Sequence, residues 1–243
     1  MKLQTIIYLG LTAIIVTISA LNASWIAPQP AGSLKLIAAR GSDPDKDNCI
    51  STDGLQQAFI AGAEYVITPV TTKSGCASLD DAIRYIPNRK LIISVANPSE
   101  VDTMVERFAA FKRPFDDRYS LTGNRAAVAG AHAKLPDTWG WSEADGRACY
   151  SAYLWQGWYG AVPEICRGKT MIVGLSEQWF IWGWPNRFQQ RMKDAGVRVI
   201  LTDLEGGKMK GITGLQQIPE IPRDFKGYAL IDDIMLIGRA IKS

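Results

Sequence analysis

Side chains with the means to act on a ligand gather at only a few places along this chain of 243 residues. The first is "ARGSDPDKDN", residues 39–48, where an apolar run gives way to Arg40, Gly41 and three acids. Arg40 could hold an anion in its planar fork or pair with the acids that follow it. Asp43, Asp45 and Asp47 alternate like the start of a calcium loop, but Asn48 stands where that loop needs glycine and Gly54 where it needs glutamate. The pattern therefore reads as a solvated turn, with Asp43 and Asp45 as cation ligands only in an alternative reading. Asp203 follows "VRVILT" and Asp232-Asp233 follow "YALI". Carboxylates at the ends of apolar runs suit either ligand binding or helix capping. The sole histidine, His132, lies in the Ala-rich "RAAVAGAHAKLP". One histidine cannot be both halves of an acid–base pair, and it reads as a packed or surface residue of a helix.

Four cysteines, Cys49, Cys76, Cys149 and Cys166, contain no Cys-x-x-Cys spacing, which argues against a zinc site. An even number in an exported chain argues for disulfides, and of the three possible pairings the two local ones, Cys49 with Cys76 and Cys149 with Cys166, are favoured. The case for export lies at the N-terminus. From Ile6 to Ile26 there is no charged residue, and about 20 apolar residues cross a bilayer core as a helix. Lys2 precedes this stretch, while Trp25 and Pro28-Gln29-Pro30 follow it. The reading is an anchor over residues 6–26 with the rest of the chain facing the periplasm, or a secreted periplasmic protein if the segment is a cleaved signal ending near "SALNAS". Residues 1–34 are then anchor and Pro-rich spacer, and residues 35–243 one folded domain.

The formal charge of +3, with basic residues scattered, directs nothing toward nucleic acid. With 47% apolar and 21% charged residues the chain can bury a full core. Eight short β-branched runs are strand candidates: 35–39, 65–70, 91–96, 118–122, 138–142, 171–175, 197–202 and 228–231. Between them lie amphipathic stretches at 54–61, 79–86, 99–111, 125–134, 145–156 and 185–195. Ser78 and Ser99 are expected N-caps, and Gly196 an expected left-handed stop. Alternating strand and helix argues for a parallel sheet, and eight repeats argue for closure into a (β/α)8 TIM barrel. An open doubly wound sheet is the runner-up, but no Gly-rich phosphate loop follows the first strand.

Several segments carry a resemblance. "LIAARG", "NCISTDGLQQAFIAGAEYVITPV" and "ASLDDAIRYIPNRKLIISVANPSE" resemble the glycerophosphodiester phosphodiesterases, and the C-terminal part, with "GWPNRF", is similar to an exported subgroup of that family. The resemblance spans nearly everything after residue 34. It implies a TIM barrel of the phospholipase-C-like phosphodiesterase kind. It also implies a first strand ending in His-Arg-Gly, metal carboxylates on the second strand, a second histidine soon after, and Glu-x-Lys on the third. In such a site the histidines move protons while carboxylates hold a divalent cation against the phosphodiester.

In this chain those positions read differently. Ala39 stands for the first histidine, before intact Arg40 and Gly41. Ile67 and Pro69 replace the metal carboxylates, Ser94 and Ala96 replace Glu-x-Lys, and the His-Asp segment is missing. The resemblance therefore implies a catalytically inactive barrel that keeps a pocket for an anion or glycerol phosphate, with Arg40, Asp203 and Asp232 as candidate ligands and no cofactor. The alternative is a working hydrolase, releasing glycerol 3-phosphate, with calcium or magnesium on rearranged acids such as Asp43 and Asp45. A third reading follows from "YLWQGWYGAVP" and "QWFIWGWPNRF", which hold five of the eight tryptophans. It is an envelope scaffold whose Trp-rich loops bind lipid or a partner. The plainer reading packs Trp182 and Trp184 against a long loop near the Cys149–Cys166 staple.

Overall fold

The computed structural model describes residues 3–39, 51–72 and 76–242. Among these residues nine strands and eight α-helices run in the order α1 (Leu3–Asn22), β1 (Lys35–Ala38), α2 (Thr52–Ala61), β2 (Ala63–Pro69), α3 (Leu79–Tyr85), β3 (Lys90–Val95) and α4 (Pro98–Ala110). They continue with β4 (Tyr119–Gly123), α5 (Arg125–Lys134), β5 (Gly140–Ser142), α6 (Glu143–Gln156), β6 (Thr170–Gly174) and α7 (Asn186–Asp194). The chain closes with β7 (Arg198–Glu205), β8 (Lys208–Lys210), β9 (Tyr228–Ile231) and α8 (Ile234–Lys242).

Eight strands form one parallel curled sheet, in the order β5-β4-β3-β2-β1-β9-β7-β6, and β8 folds back antiparallel on β7. The expected barrel is present, with one departure: β5 and β6, the two ends of this order, are not hydrogen-bonded to each other. β5 is three residues long, too short to carry a ladder on both sides. A side-chain bond from Trp139 Nε1 to Thr170 Oγ1, 2.9 Å, spans the seam instead. Gly146 lets α6 sit close on β6, since a Cβ there would fall 2.6 Å from Ile172 Cδ1.

Two apolar layers hold the sheet. Ile37, Tyr65, Ile92, Trp141, Ile172 and Leu230 fill the barrel interior, while a larger layer packs between strands and outer helices. Near the strand starts the interior is plugged by aromatic rings: Trp139 stacks on Trp141 and leans on Tyr228, and Tyr65 meets Trp139 edge-on. Lys35, Lys90 and Arg198 sit over Tyr228, Tyr65 and Trp139, so cations meet the electron-rich ring faces.

Local signals explain most boundaries. Ser78 caps α3 through a reciprocal capping box with Asp81, and Gly196 adopts φ +68° just past α7. The cap of α4 is a correction: Asn97, not Ser99, accepts from Glu100 N, with Pro98 in the first turn. Proline's fixed φ suits that position, and Ser99 instead donates its hydroxyl to Asn97 Oδ1. Cys149 and Cys166 form a disulfide with Cα atoms 5.0 Å apart. Cys76 is disulfide-bonded too, while Cys49, like Arg40, Asp43, Asp45 and Asp47, lies outside the described residues.

Helix α1 is almost wholly exposed and is long and apolar enough to cross a membrane. Its end is built into the barrel. Ala23 and Ala27 are buried, Ser24 Oγ accepts from Asn186 N at 2.9 Å, and Arg191 donates to Leu21 O and Asn22 Oδ1.

Candidate ligand site at the barrel mouth

Parallel strands that feed helices bring all their C-terminal ends to one face, where loops can shape a pocket over a packed core. A cavity of about 900 Å³ opens there. Its floor carries the residues that sequence reasoning marked as substituted: Ala39 at the end of β1, Ile67 on β2 and Ser94 on β3. Methyl, sec-butyl and hydroxymethyl groups thus occupy the ends of three adjacent strands. Pro69 and Ala96 are not among the lining residues. Ala96 instead donates its N–H to Glu100 Oε2, and its carbonyl accepts from Asn124 Nδ2.

The opposite wall is cationic and comes from the segments after β4, β5 and β7. Arg125, Arg147, Lys208 and Lys210 line it, faced by Glu143 and Asp232. Arg147 is the most constrained of these. Glu177 grips it bidentately at 2.5 and 2.8 Å, Ile172 O accepts a further bond, and the guanidinium lies 4.6 Å from the centre of the Tyr150 ring. The hydrogen bonds that Arg147 donates to Glu177 raise its pKa further, while burial, with the Glu177 charge nearby, pushes the Tyr150 hydroxyl up to about 12. Both stay protonated at any ordinary pH. Arg125 pairs with Asp145 at 2.7 Å, and Lys210 with Glu205 at 2.8 Å. Lys208 has no carboxylate partner among the described residues.

The β7–β8 hairpin covers the mouth. Gly206 and Gly207 turn it with φ of +59° and +78°, both in the left-handed region that two-residue hairpin turns need. Met209 N donates to Glu143 Oε1 at 2.7 Å, which ties the hairpin to the first turn of α6. Gly211 rests against Asp232 so closely that a Cβ would fall 2.5 Å from its backbone nitrogen.

The sequence-marked acids divide. Asp232 is nearly buried and lines the cavity. Asp203 is not a lining residue: its two oxygens accept from Leu204 N and Gln217 Nε2, each at 2.8 Å. Asp233 caps α8 by accepting from Leu236 N. His132 lies on α5, outside the barrel wall, against Gly140. Sequence reasoning did not mark Arg147, Glu177 or Lys208. The Gly206-Gly207 pair was the available signal for the hairpin, whereas nothing local links Arg147 to a glutamate thirty residues away.

The divalent cation that the sequence resemblance implies does not fit the residues described at its expected positions. Its strand-end positions offer no oxygen except the Ser94 hydroxyl, and among the described residues no group of three His, Cys, Asp or Glu is placed to hold a metal.

No protein-family model matches the chain, and no curated protein matches its sequence. Solved structures do. The glycerophosphoryl diester phosphodiesterase domain of an uncharacterized protein from Mycobacterium tuberculosis superposes with a TM-score of 0.60 at 11% identity, over 87% of this chain and 100% of that one. A protein described as a glycerophosphodiester phosphodiesterase from Galdieria sulphuraria gives a TM-score of 0.54 at 10% identity, over 86% of this chain and 98% of that one. At such identities the likeness is one of fold.

Proposed function

We propose that this chain is a membrane-tethered barrel of the glycerophosphodiester phosphodiesterase kind that binds a phosphate ester without cleaving it. The observation that carries the reading is the floor of the mouth, where Ala39, Ile67 and Ser94 face the cavity. Cleaving a phosphodiester needs a proton donor for the leaving oxygen and charge compensation for the phosphoryl group. A methyl and a sec-butyl group supply neither.

Binding is another matter. Arg147, already locked by Glu177, and Lys208, which has no carboxylate partner among the described residues, give the wall its positive charge. The first turn of α5 opens onto the same cavity through Asn124 and Arg125, and helix N-termini favour anions. A glycerol-phosphate headgroup suits this combination of cations, hydroxyls from Ser94, Thr122 and Ser142, and an apolar floor. Export and tethering rest on the apolar α1 and on the disulfide.

The test is calorimetric titration of the full chain in detergent with glycerol 3-phosphate and glycerophosphocholine, alongside a hydrolysis assay with calcium or magnesium. Binding that weakens in Lys208→Ala, with no product formed, is the expected result. Metal-dependent turnover abolished by Asp232→Ala would establish a rearranged hydrolase and sink the reading.

A further inference from the structure

A second cavity, of about 650 Å³, lies away from the mouth, between the last two turns of α1 and helix α7. One wall is apolar and belongs to α1, through Val16, Thr17, Ala20 and Leu21; the other is polar and belongs to the barrel, with two cations, Arg187 and Arg191, against one carboxylate, Asp194, and Gln190 beside them. Arg187 has no ion-pair partner among the described residues. Its Nε and the Gln190 Oε1 are both buried with no hydrogen-bond partner. Those two atoms are closed to solvent and are not what a ligand in the cleft would meet; the charge of Arg187, beside the apolar face of α1, is.

The depth of the cleft follows from its neighbours. Val16 to Leu21 spans about 8 Å at the end of the helix. Just beyond, Trp25 and Ile26 are exposed, as are Trp158 and Tyr159. Asn22 Nδ2 donates to Trp158 O at 2.8 Å, and Tyr159 lines the cleft itself. Amphipathic rings beside the end of an apolar helix mark the headgroup level of a bilayer. The Arg191 clamp prevents the helix from pivoting away: its guanidinium binds Leu21 O, Asn22 Oδ1, Gly157 O and Tyr153 OH at 2.8 to 3.2 Å.

We propose that this cleft is a binding site for the headgroup of an anionic phospholipid. The phosphate is received by Arg187 and the exposed side of Arg191, and an acyl chain lies along Val16 and Ala20. The inference rests on the tether reading above, in that α1 must lie in a membrane; it is independent of what the barrel mouth holds.

The full chain is reconstituted into phosphatidylcholine nanodiscs with and without phosphatidylglycerol, and retained lipid is measured by native mass spectrometry after detergent competition. As a separate readout, quenching of tryptophan fluorescence by brominated lipid, compared between wild type, Trp25→Phe and Trp158→Phe, reads the depth of those two rings. Expected is enrichment of phosphatidylglycerol on the wild type and about fivefold weaker enrichment in Arg187→Gln, the factor that corresponds to the ~1 kcal/mol contributed by one basic residue at an anionic surface. Arg187→Lys should retain most of it, and inorganic phosphate should not compete. Equal enrichment in wild type and Arg187→Gln with quenching intact would overturn the lipid site and leave the tether standing. Full displacement by inorganic phosphate would overturn it in favour of a simple anion site. Absence of quenching would defeat the tether reading and the lipid site with it.

Discussion

Replacing Arg191 with methionine removes the joint between α1 and the barrel while keeping most of the apolar stem. The bond to Leu21 O is solvent-exposed, so water replaces it at little cost. Those to Asn22 Oδ1, Tyr153 OH and Gly157 O are partly buried, at 3.0, 3.0 and 3.2 Å, and each is worth about 1 kcal/mol net. Tyr153 keeps its bond to Trp182 O at 3.0 Å, so its hydroxyl is not orphaned. The expected loss is therefore about 3 kcal/mol, or some 6 to 12 °C in melting temperature for a domain of this size. Thermal unfolding of the full chain in detergent, followed by near-ultraviolet circular dichroism, measures it. The orientation of the barrel should loosen as well, seen as broader distance distributions between spin labels on α1 and α7. A variant that melts within about 1 °C of wild type with unchanged distances would show that the hydrogen bonds at the helix end do not couple the two parts.

Gly211→Ala should destabilise by about 2 kcal/mol or displace the β8 hairpin, because the new methyl meets the backbone nitrogen and carboxylate of Asp232; melting and hairpin proteolysis would report it, and a neutral result would mean that the mouth is loosely built. Cys149→Ser should cost about 3 kcal/mol, the loop-closure value for a 17-residue separation, read as a lower denaturant midpoint. Ser78→Ala should cost about 1 kcal/mol by uncapping α3. Its pH dependence has a defined sign: hydrogen bonds from the Ser78 backbone and hydroxyl hold the Asp81 carboxyl below its usual range. That contribution is complete above the unfolded carboxylate pKa of about 3.9 and is lost as pH falls through the lower folded value. The variant should thus show a shallower acid limb below about pH 4, measured by urea unfolding at several pH values.

How far the sequence could be read depended on the range of the interactions involved. All eight parallel strands stand where β-branched runs predicted them, within a few residues, because burial on both faces leaves a continuous apolar signature. Ser78 and Gly196 were legible because capping is settled within three residues. Ser99 misled because Asn97 and Pro98 offered a better cap just before it. Ala39, Ile67 and Ser94 were named in advance only through the family resemblance, which marked Pro69 and Ala96 as well; the first three line the mouth and the last two do not. The cationic wall could not be named: Arg147 is selected by Glu177, Ile172 O and the ring of Tyr150, which only the packing of α6 on β6 brings together. The tryptophans likewise divide by tertiary position. Trp182 binds Leu154 O and Trp184 stacks on Phe225, whereas Trp155 and Trp179 are largely exposed.

From its residue order alone the chain determined an alternating barrel behind an apolar helix, because periodicity and short-range hydrogen bonding are local physics. Tertiary structure decided the open seam between β5 and β6, the charged lining of the mouth and the seating of α1 on α7. Each of these depends on groups far apart in the chain whose free energy of interaction exists only after the backbone has closed around them.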